Sequence, residues 1–583
     1  MERTVSRRGF LTGAALAAAG VAAGGLAGCA SGAPTSSGSG GSSASTSSDI
    51  PGTWDEETEV IVVGGGVGMA AAIEAADAGA KVVVLEKGDH AGGLWMTAGG
   101  SCTMGGNNVV QQRDGVKDDN DAWFAAEMNS CEYRGNAEVM RALVDAGADT
   151  VKWMEDLGII WGPISAGVLG GEVKRGLAPE PNPGVYEGGK GTPNSGICWT
   201  QVWEKKLSEQ GVPIKLGHRM TRLYREADGP VVGVEVETSD GVKNLKATKG
   251  VVLCTGTWTD NARMAAGWDP RIVGPDTYGD GGVPADDLLY VDSSGDGHIA
   301  AAQIGAAFAD MSFVSYLYLF FGARSYWGWG EDPVDWSTNK NYAAGKGLTR
   351  KADLYQKSIL VNGKGERYVN EASASDPRPA GRGALSENPE MPFMAAYLSL
   401  DQPRNVWMVA DSVAAAEMKW PLDEMGKPNP KTGSMFDPAC LAKADTLDDL
   451  AKQMGIDAAA LKATVEQYNA DADAGVDSVF GKPGPLNKIA TPPFYGAKAS
   501  LIRHTQRNGV RVNTKSQVLD GWSAIENPLE PVASIDDEPV IPHLYAAGEL
   551  GNALGWRRVH NSLGHYATAA RWAGANAAKA TAV

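Results

Sequence analysis

The first strong signal in the pattern of apolar and polar positions is the β-branched run Glu59-Val-Ile-Val-Val63, which predicts a buried strand. It runs into Gly64-Gly65-Gly66-Val67-Gly68 and then into an Ala-rich stretch, Met69 to Ala78, with helical spacing. A second apolar run, Lys81-Val-Val-Val-Leu85, ends in Glu86, so the order is strand, glycine turn, helix, strand, acid. Gly92-Gly93 and Gly99-Gly100 follow closely. Two later segments repeat the strand-then-small-residue form: Gly250-Val-Val-Leu-Cys254-Thr255-Gly256, and Leu544-Tyr545-Ala546-Ala547-Gly548-Glu549. Units of this kind, hundreds of residues apart, imply one sheet assembled from distant segments with an insert between them. The expectation is an α/β, doubly wound, Rossmann-like dinucleotide-binding domain carrying an inserted segment.

The glycine turn gives the first strand pair its chemistry. Glycines let the backbone approach a pyrophosphate closely, and that charge then sits against the helix N-terminus. Glu86 lies about 20 residues downstream, where an acid meets the ribose hydroxyl of an adenine dinucleotide. The loop reads GxGxG, one residue shorter than GxGxxG, which implies a slightly remodelled phosphate turn.

The first residues carry a different kind of signal. Ser6-Arg7-Arg8-Gly9-Phe10-Leu11 precedes an Ala/Gly stretch and resembles a twin-arginine export signal. The alternative, a membrane-spanning helix, is disfavoured because the stretch lacks Leu, Ile and Phe. Leu26-Ala27-Gly28-Cys29 resembles a lipobox, in which the cysteine takes a lipid. Ala30 to Ser48 is nearly all Ser, Gly, Ala and Thr, a flexible tether, so folded structure is expected from near Trp54. The expected organisation begins with signal 1–29 and linker 30–54. The protein would then sit at the outer face of the cytoplasmic membrane, or in the periplasm or at the cell surface, held by its lipid alone.

Composition narrows the classes. The formal net charge of -18, with 43% apolar and 21% charged residues, is an ordinary globular balance in which no basic stripe favours a nucleic-acid partner. Beyond Cys29 the cysteines are Cys102, Cys131, Cys198, Cys254 and Cys440, with no CxxC, CxxCH or close Cys/His pair. No metal, haem or disulfide framework is indicated.

The glycine blocks, together with Gly295-Asp296-Gly297, Gly365-Glu366-Arg367-Tyr368-Val369-Asn370-Glu371 and Asn561-Ser562-Leu563, resemble the FAD-dependent fumarate reductase/succinate dehydrogenase flavoprotein family. The likeness runs from residue 57 to 580. It implies FAD in the doubly wound domain, its first part 55–319 and second part 500–583, and substrate held under an inserted α+β capping domain, the cap 320–499. By that resemblance Gly64, Gly66 and Gly68 cradle the pyrophosphate, with Glu86 and Lys87 at the adenosine ribose. Gly92, Gly93, Thr97, Gly99, Gly100, Thr255, Gly256 and Asp296 line the cofactor's path, and Gly548-Glu549 meets the ribityl chain. Asn561, Ser562 and Leu563 face the isoalloxazine ring. Members that bind FAD covalently use a His just before the second glycine pair; Ala91 to Ala98 contains none, so FAD is expected to be non-covalent.

The same resemblance implies hydride transfer between flavin N5 and a polarised double bond. Arg557, four residues before Asn561, matches the carboxylate-binding Arg, whose fork suits a carboxylate. Arg503-His504 matches a His-rich block in part, leaving His504 as a candidate and Arg503 in place of a His. Ser375 stands at the proton-donor Arg position, with Arg378 and Arg382 a few residues on. Leu317 stands where another His contact belongs, flanked by Tyr316 and Tyr318, candidates for proton donor or ring-stacking wall. Plain strand packing is the alternative for this aromatic segment. The expected substrate is a small organic acceptor, an enoate or enone larger than fumarate, with electrons from an external donor: a cytochrome, a quinol or a reduced carrier. Two alternatives remain, a dehydrogenase unsaturating a ketosteroid-like ring and a non-catalytic FAD-binding lipoprotein.

Overall fold

The computed structural model describes residues 50–96, 98, 100–131, 133, 135–166, 173–180, 196–274, 277–278, 292–311, 314–321, 357–372, 392–417, 441–506, 509–523, 528–529, 532–552 and 563–583. The export-signal and lipobox expectations fall on residues 1–29 and lie outside these.

An eight-stranded sheet organises the nucleotide half. Its main path runs Gln517–Leu519, Val540–Ala546, Gly241–Leu253, Glu56–Val63, Val82–Leu85, Ile214–Lys215. From Val540–Ala546 to Ile214–Lys215 each neighbouring pair is parallel, with Ile61 opposite Val83 on one side and Val251 on the other. Parallel strands need cover on both faces, and the apolar runs read from the sequence fit that: Val60, Ile61, Val62, Val84 and Leu85 are fully buried. Arg219–Arg225 and Val231–Thr238 add an antiparallel meander on the first half of Gly241–Leu253.

Two helices lock onto each other beside this sheet. Gly68–Asp77 follows the first strand, and Leu563–Lys579 closes the described chain. A β-carbon on Gly574 would lie 1.9 Å from the Ala71 carbonyl oxygen, so glycine is what lets these backbones meet. Arg571 Nε donates to Glu74 across the same contact at 2.6 Å.

A second, six-stranded sheet is built on the long strand Phe494–Gln506, which pairs with Thr277–Tyr278, Val314–Phe321, Trp407–Ala410 and Leu441–Ala444; Ile359–Val361 extends it from Trp407–Ala410. Its core gathers Leu360, Met408, Ala410, Tyr495, Ala497 and Ala499, but also Trp258, Ala265, Ile272 and Met311. Trp258, Ala265 and Ile272, expected with the nucleotide domain, therefore pack with this second sheet. The strand Phe494–Gln506 crosses the expected boundary at residue 500, and Thr277–Tyr278 pairs in parallel with its Leu501–Ile502, which no periodicity in the sequence encodes. Among the described residues no helix is long and apolar enough to cross a membrane.

Candidate functional site

Three neighbouring parallel strands end level with one another. Gly64 N donates to Leu85 O at 2.8 Å, Cys254 N to Val63 O at 2.8 Å, and Ala547 N to Leu253 O at 3.0 Å. The turns that begin at Gly64, Thr255 and Gly548 thus stand side by side at the C-terminal edge of the sheet, where open α/β sheets place their ligands. Gly64 has φ +106°, and a β-carbon there would lie 2.3 Å from the Cys254 carbonyl oxygen. At Gly68 a β-carbon would come within 2.8 Å of Val62 Cγ1. The shortened loop is closed by Met69 N donating to Gly66 O at 3.1 Å, and helix Gly68–Asp77 starts at once. Its first turn carries no acidic residue and no side-chain cap, which leaves the positive end of the helix for an anion.

Glu86 ties the loop together. Its carboxylate accepts from Gly65 N and from Gly88 N, both at 2.8 Å, one on each oxygen. Each oxygen keeps a second lone pair, so a ribose hydroxyl fits beside the backbone donors. Gly92 N donates to Gly65 O at 2.8 Å, drawing the second glycine pair against the first turn; Gly92 has φ +115°. Gly93 (φ +51°) has open space at its β-position, and Gly100 accepts from Trp199 Nε1 at 2.9 Å. Thr97 and Gly99 lie outside the described residues.

The other two turns complete the cradle. Thr255 Oγ1 is buried without a hydrogen-bond partner, and a β-carbon on Gly297 would sit 2.0 Å from it. Gly256 turns at φ +71° with nothing within 4 Å of its β-position. At Gly548, φ +74°, a β-carbon would stand 2.8 Å from Val67 Cγ1, so the last and first turns meet; Glu549 beside it is half-buried. Burial pushes the Cys254 thiol up to about 12, which makes it a packing group rather than a nucleophile. Bare glycine turns, a helix end without a neutralising acid and an acid on the loop together fit the adenosine, pyrophosphate and ribityl parts of FAD.

Asp296 binds its own protein. Lys87 reaches it at 3.1 Å and Arg219 at 2.9 Å. Burial would raise its pKa, yet hydrogen bonding to Arg219 and the charge of Lys87 hold the carboxyl below its ordinary range. Lys87 also bonds Ser294 Oγ at 2.8 Å.

Of the candidate catalytic residues, Arg503 is fully placed. It is buried, Nε donating to Thr259 O at 2.6 Å and a terminal nitrogen to Ile272 O at 2.7 Å. The guanidinium therefore ties the loop that continues Thr255-Gly256 to the cap sheet. Tyr316 lies directly opposite Arg503 in the antiparallel register, and Leu317 opposite Ile502. Tyr318 and His504 belong to the same two strands. Arg378, Arg382, Arg557, Asn561 and Ser562 lie outside the described residues, while Leu563, half-buried, opens the last helix.

Some features have only a faint sequence signal. Trp95 covers the phosphate loop, its Cδ1 3.3 Å from a β-carbon placed on Gly66, and its ring centroid lies 5.0 Å from those of both Trp199, tilted against it, and Trp203, edge-on to it. The Gly365–Glu371 block proves to be an ion cluster: Arg367 pairs with Glu371 at 2.8 Å and Asp477 at 2.9 Å, and Lys482 lies 3.6 Å from Glu371. Burial, opposed by Glu371, lowers the Lys482 pKa to about 8. The i,i+4 spacing of Arg367 and Glu371 was its visible trace; Asp477 and Lys482 arrive from a hundred residues away. Among the described residues no three His, Cys, Asp or Glu side chains converge as a metal site.

Comparison with known proteins finds a match to FAD binding domain over residues 59–558. The chain is 28% identical to the digoxin reductase of Eggerthella lenta over 576 residues, covering 95% of this chain and 93% of the relative. It is 27% identical to the urocanate reductase of Eggerthella lenta over 531 residues, 90% of this chain and 75% of that one. Among solved structures, the open conformation of a flavocytochrome c3 fumarate reductase superposes with a TM-score of 0.63 at 25% identity, covering 90% of this chain and 79% of the other.

Proposed function

The chain belongs to the FAD binding domain family, as an FAD-dependent oxidoreductase of the fumarate reductase type acting on carbon–carbon bonds, and from that premise we propose that it reduces the activated double bond of an enoate or enone larger than a short dicarboxylate. The observation that carries the reading is the alignment of the Gly64, Thr255 and Gly548 turns at one sheet edge, roofed by a second sheet whose Tyr316 lies opposite Arg503.

Once bound and reduced by two electrons from the external donor, FAD would supply a hydride from its ring nitrogen N5. The protein's own residues bind, orient and protonate. Arg557 pairs with the acceptor's carboxylate, drawing electron density out of the double bond. Tyr316 or Tyr318 delivers the proton to the carbon beside the one that accepts hydride, with Arg378, Arg382 and His504 as the other proton sources within reach of the sequence argument. Leu317 and Ser375 stand at positions where the family carries His and Arg, which removes two cationic contacts and disfavours a small dianion. The near full-length match to a relative named for digoxin supports a bulky acceptor. Arg503, held on Thr259 and Ile272, sets the cap strand against the cofactor loop.

FAD is held without a covalent link, because Ala91 to Ala98 offers no His. Electrons come from an external cytochrome, quinol or reduced carrier, and Ser6–Leu11 with Cys29 directs the protein to the outer face of the cytoplasmic membrane, or to the periplasm or cell surface. The test is an anaerobic assay of the flavin-loaded protein with reduced viologen dye and a panel of fumarate, urocanate, aryl enoates and cyclic enones. Dye bleaching by the larger acceptors and not by fumarate is expected. Turnover of fumarate alone would overturn the substrate class, and oxidation of saturated ketones in preference to enone reduction would reverse the direction.

A further inference from the structure

We propose that His565 is a positioning residue, whose hydrogen bond to Glu127 fixes the first turn of the last helix and thereby the approach of Leu563 to the flavin. This rests on the placing of Leu563 at the isoalloxazine ring in the reading above. Leu563–Lys579 is joined to its neighbours by polar contacts spaced three residues apart, which falls on one side of a helix. Arg571 bonds Glu74 at 2.6 Å and Asp149 at 2.9 Å; Thr568 bonds Thr150 at 2.9 Å; His565 Nε2 lies 3.2 Å from Glu127 Oε1. The first two joints secure the helix body. The third alone lies in the first turn, two residues beyond Leu563.

Its surroundings are rigid. His565 and Glu127 are both about fully buried, at 1% and 0% side-chain exposure. The same Glu127 oxygen accepts from Trp123 Nε1 at 2.9 Å, and the imidazole stacks on Trp123 with centroids 5.5 Å apart and planes at 12°. Trp123 sits in a slot that glycines make: a β-carbon on Gly147 would be 2.4 Å from its ring, and one on Gly105 2.8 Å. Gly564 presses on Met104, where a β-carbon would meet Sδ at 2.2 Å. A buried acid–imidazole pair is a poor source of net stability, since apolar groups of the same shape serve as well or better. What it supplies is direction: one donor, one acceptor and one stacking plane define the rotation of the first turn, which apolar packing would leave looser.

The experiment compares His565→Leu, His565→Gln, the double variant His565→Leu/Glu127→Leu and Leu563→Ala, each reconstituted with FAD. The readouts are flavin-band circular dichroism, flavin midpoint potential and FAD dissociation constant. His565→Leu is expected to shift the flavin band and potential in the same sense as Leu563→Ala and to raise the FAD dissociation constant about tenfold, the lower end for loss of an outer orienting partner. Gln carries a donor at nearly the same reach and should restore the wild-type flavin signals. The double variant removes the orphaned carboxylate and leaves only the Trp123 Nε1 donor without its acceptor, so its melting temperature should recover part of the way toward wild type while the flavin shift persists. If His565→Leu lowers only the melting temperature, or if His565→Gln is no better than Leu, the proposal is overturned; should His565→Leu fail to fold, the double variant decides by the same criterion. A silent Leu563→Ala overturns the site reading together with the proposal, whereas an active Leu563→Ala with unshifted His565 variants overturns the positioning role alone.

Discussion

Replacing Gly64 by Ala tests the central junction of the site. In the native chain a β-carbon there would stand 2.3 Å from the carbonyl oxygen of Cys254, and real β-carbons keep at least 3.0 Å, so the strand ends must part by about 0.7 Å. That movement stretches Cys254 N to Val63 O, the 2.8 Å bond joining the neighbouring strands Gly241–Leu253 and Glu56–Val63. The backbone at φ +106° adds its own penalty, since an alanine there is strained by on the order of 1–3 kcal/mol. Gly79→Ala separates the two effects, because Gly79 also has positive φ (+86°) but nothing lies within 4 Å of its β-position. Gly79→Ala should lose about 1 kcal/mol of stability and keep FAD. Gly64→Ala should lose several kcal/mol in all and emerge from dialysis colourless. Denaturant unfolding with absorbance at the flavin band measures both. A Gly64→Ala protein as stable as Gly79→Ala, with one FAD retained per chain, would refute the claim that glycine at this junction permits the cofactor to bind.

Glu86→Ala removes the acceptor for both Gly65 N and Gly88 N as well as the ribose contact, and should raise the FAD dissociation constant at least about tenfold by equilibrium dialysis; unchanged retention removes Glu86 from the site. Arg557→Ala should abolish turnover of carboxylate acceptors, by about 2–5 kcal/mol if a buried pair is broken, with FAD still bound; equal kcat/KM on carboxylate and ketone acceptors in both proteins would count against the anchor. His298 is buried, with neither ring nitrogen partnered, and burial lowers its pKa from 6.5 to about 3. Between those values the unfolded chain binds a proton that the folded chain does not, so stability falls as pH drops from 6.5 toward 3. The cost is about 2 kcal/mol at pH 5, and His298→Leu should flatten that part of the unfolding curve; an unchanged slope would show that the folded imidazole takes its proton as readily as the unfolded one.

Local patterns in the chain specified local things. The run Val60–Val63, the glycines after it and the acid at Glu86 announced strand, turn, helix and strand because parallel strands must be apolar on both faces and a phosphate turn must lack side chains. The same reasoning marked Thr255-Gly256 and Gly548-Glu549 as turns and foretold that distant segments share one sheet. Resemblance then supplied the cofactor. What tertiary structure alone decided is which groups spend their polarity on the protein itself. Arg503 and Asp296 carry charges suited to a ligand, yet one is held by the carbonyls of Thr259 and Ile272 and the other by Lys87 and Arg219. Trp258, Ala265 and Ile272 joined the core of the second sheet, and Thr277–Tyr278 found a parallel partner in Leu501–Ile502, more than two hundred residues along. His565 and Glu127, 438 residues apart, became neighbours for the same reason. Periodicity records which face of an element is buried, whereas the partner on that face is fixed only when the helices and sheets close around one another and a buried donor must find its acceptor.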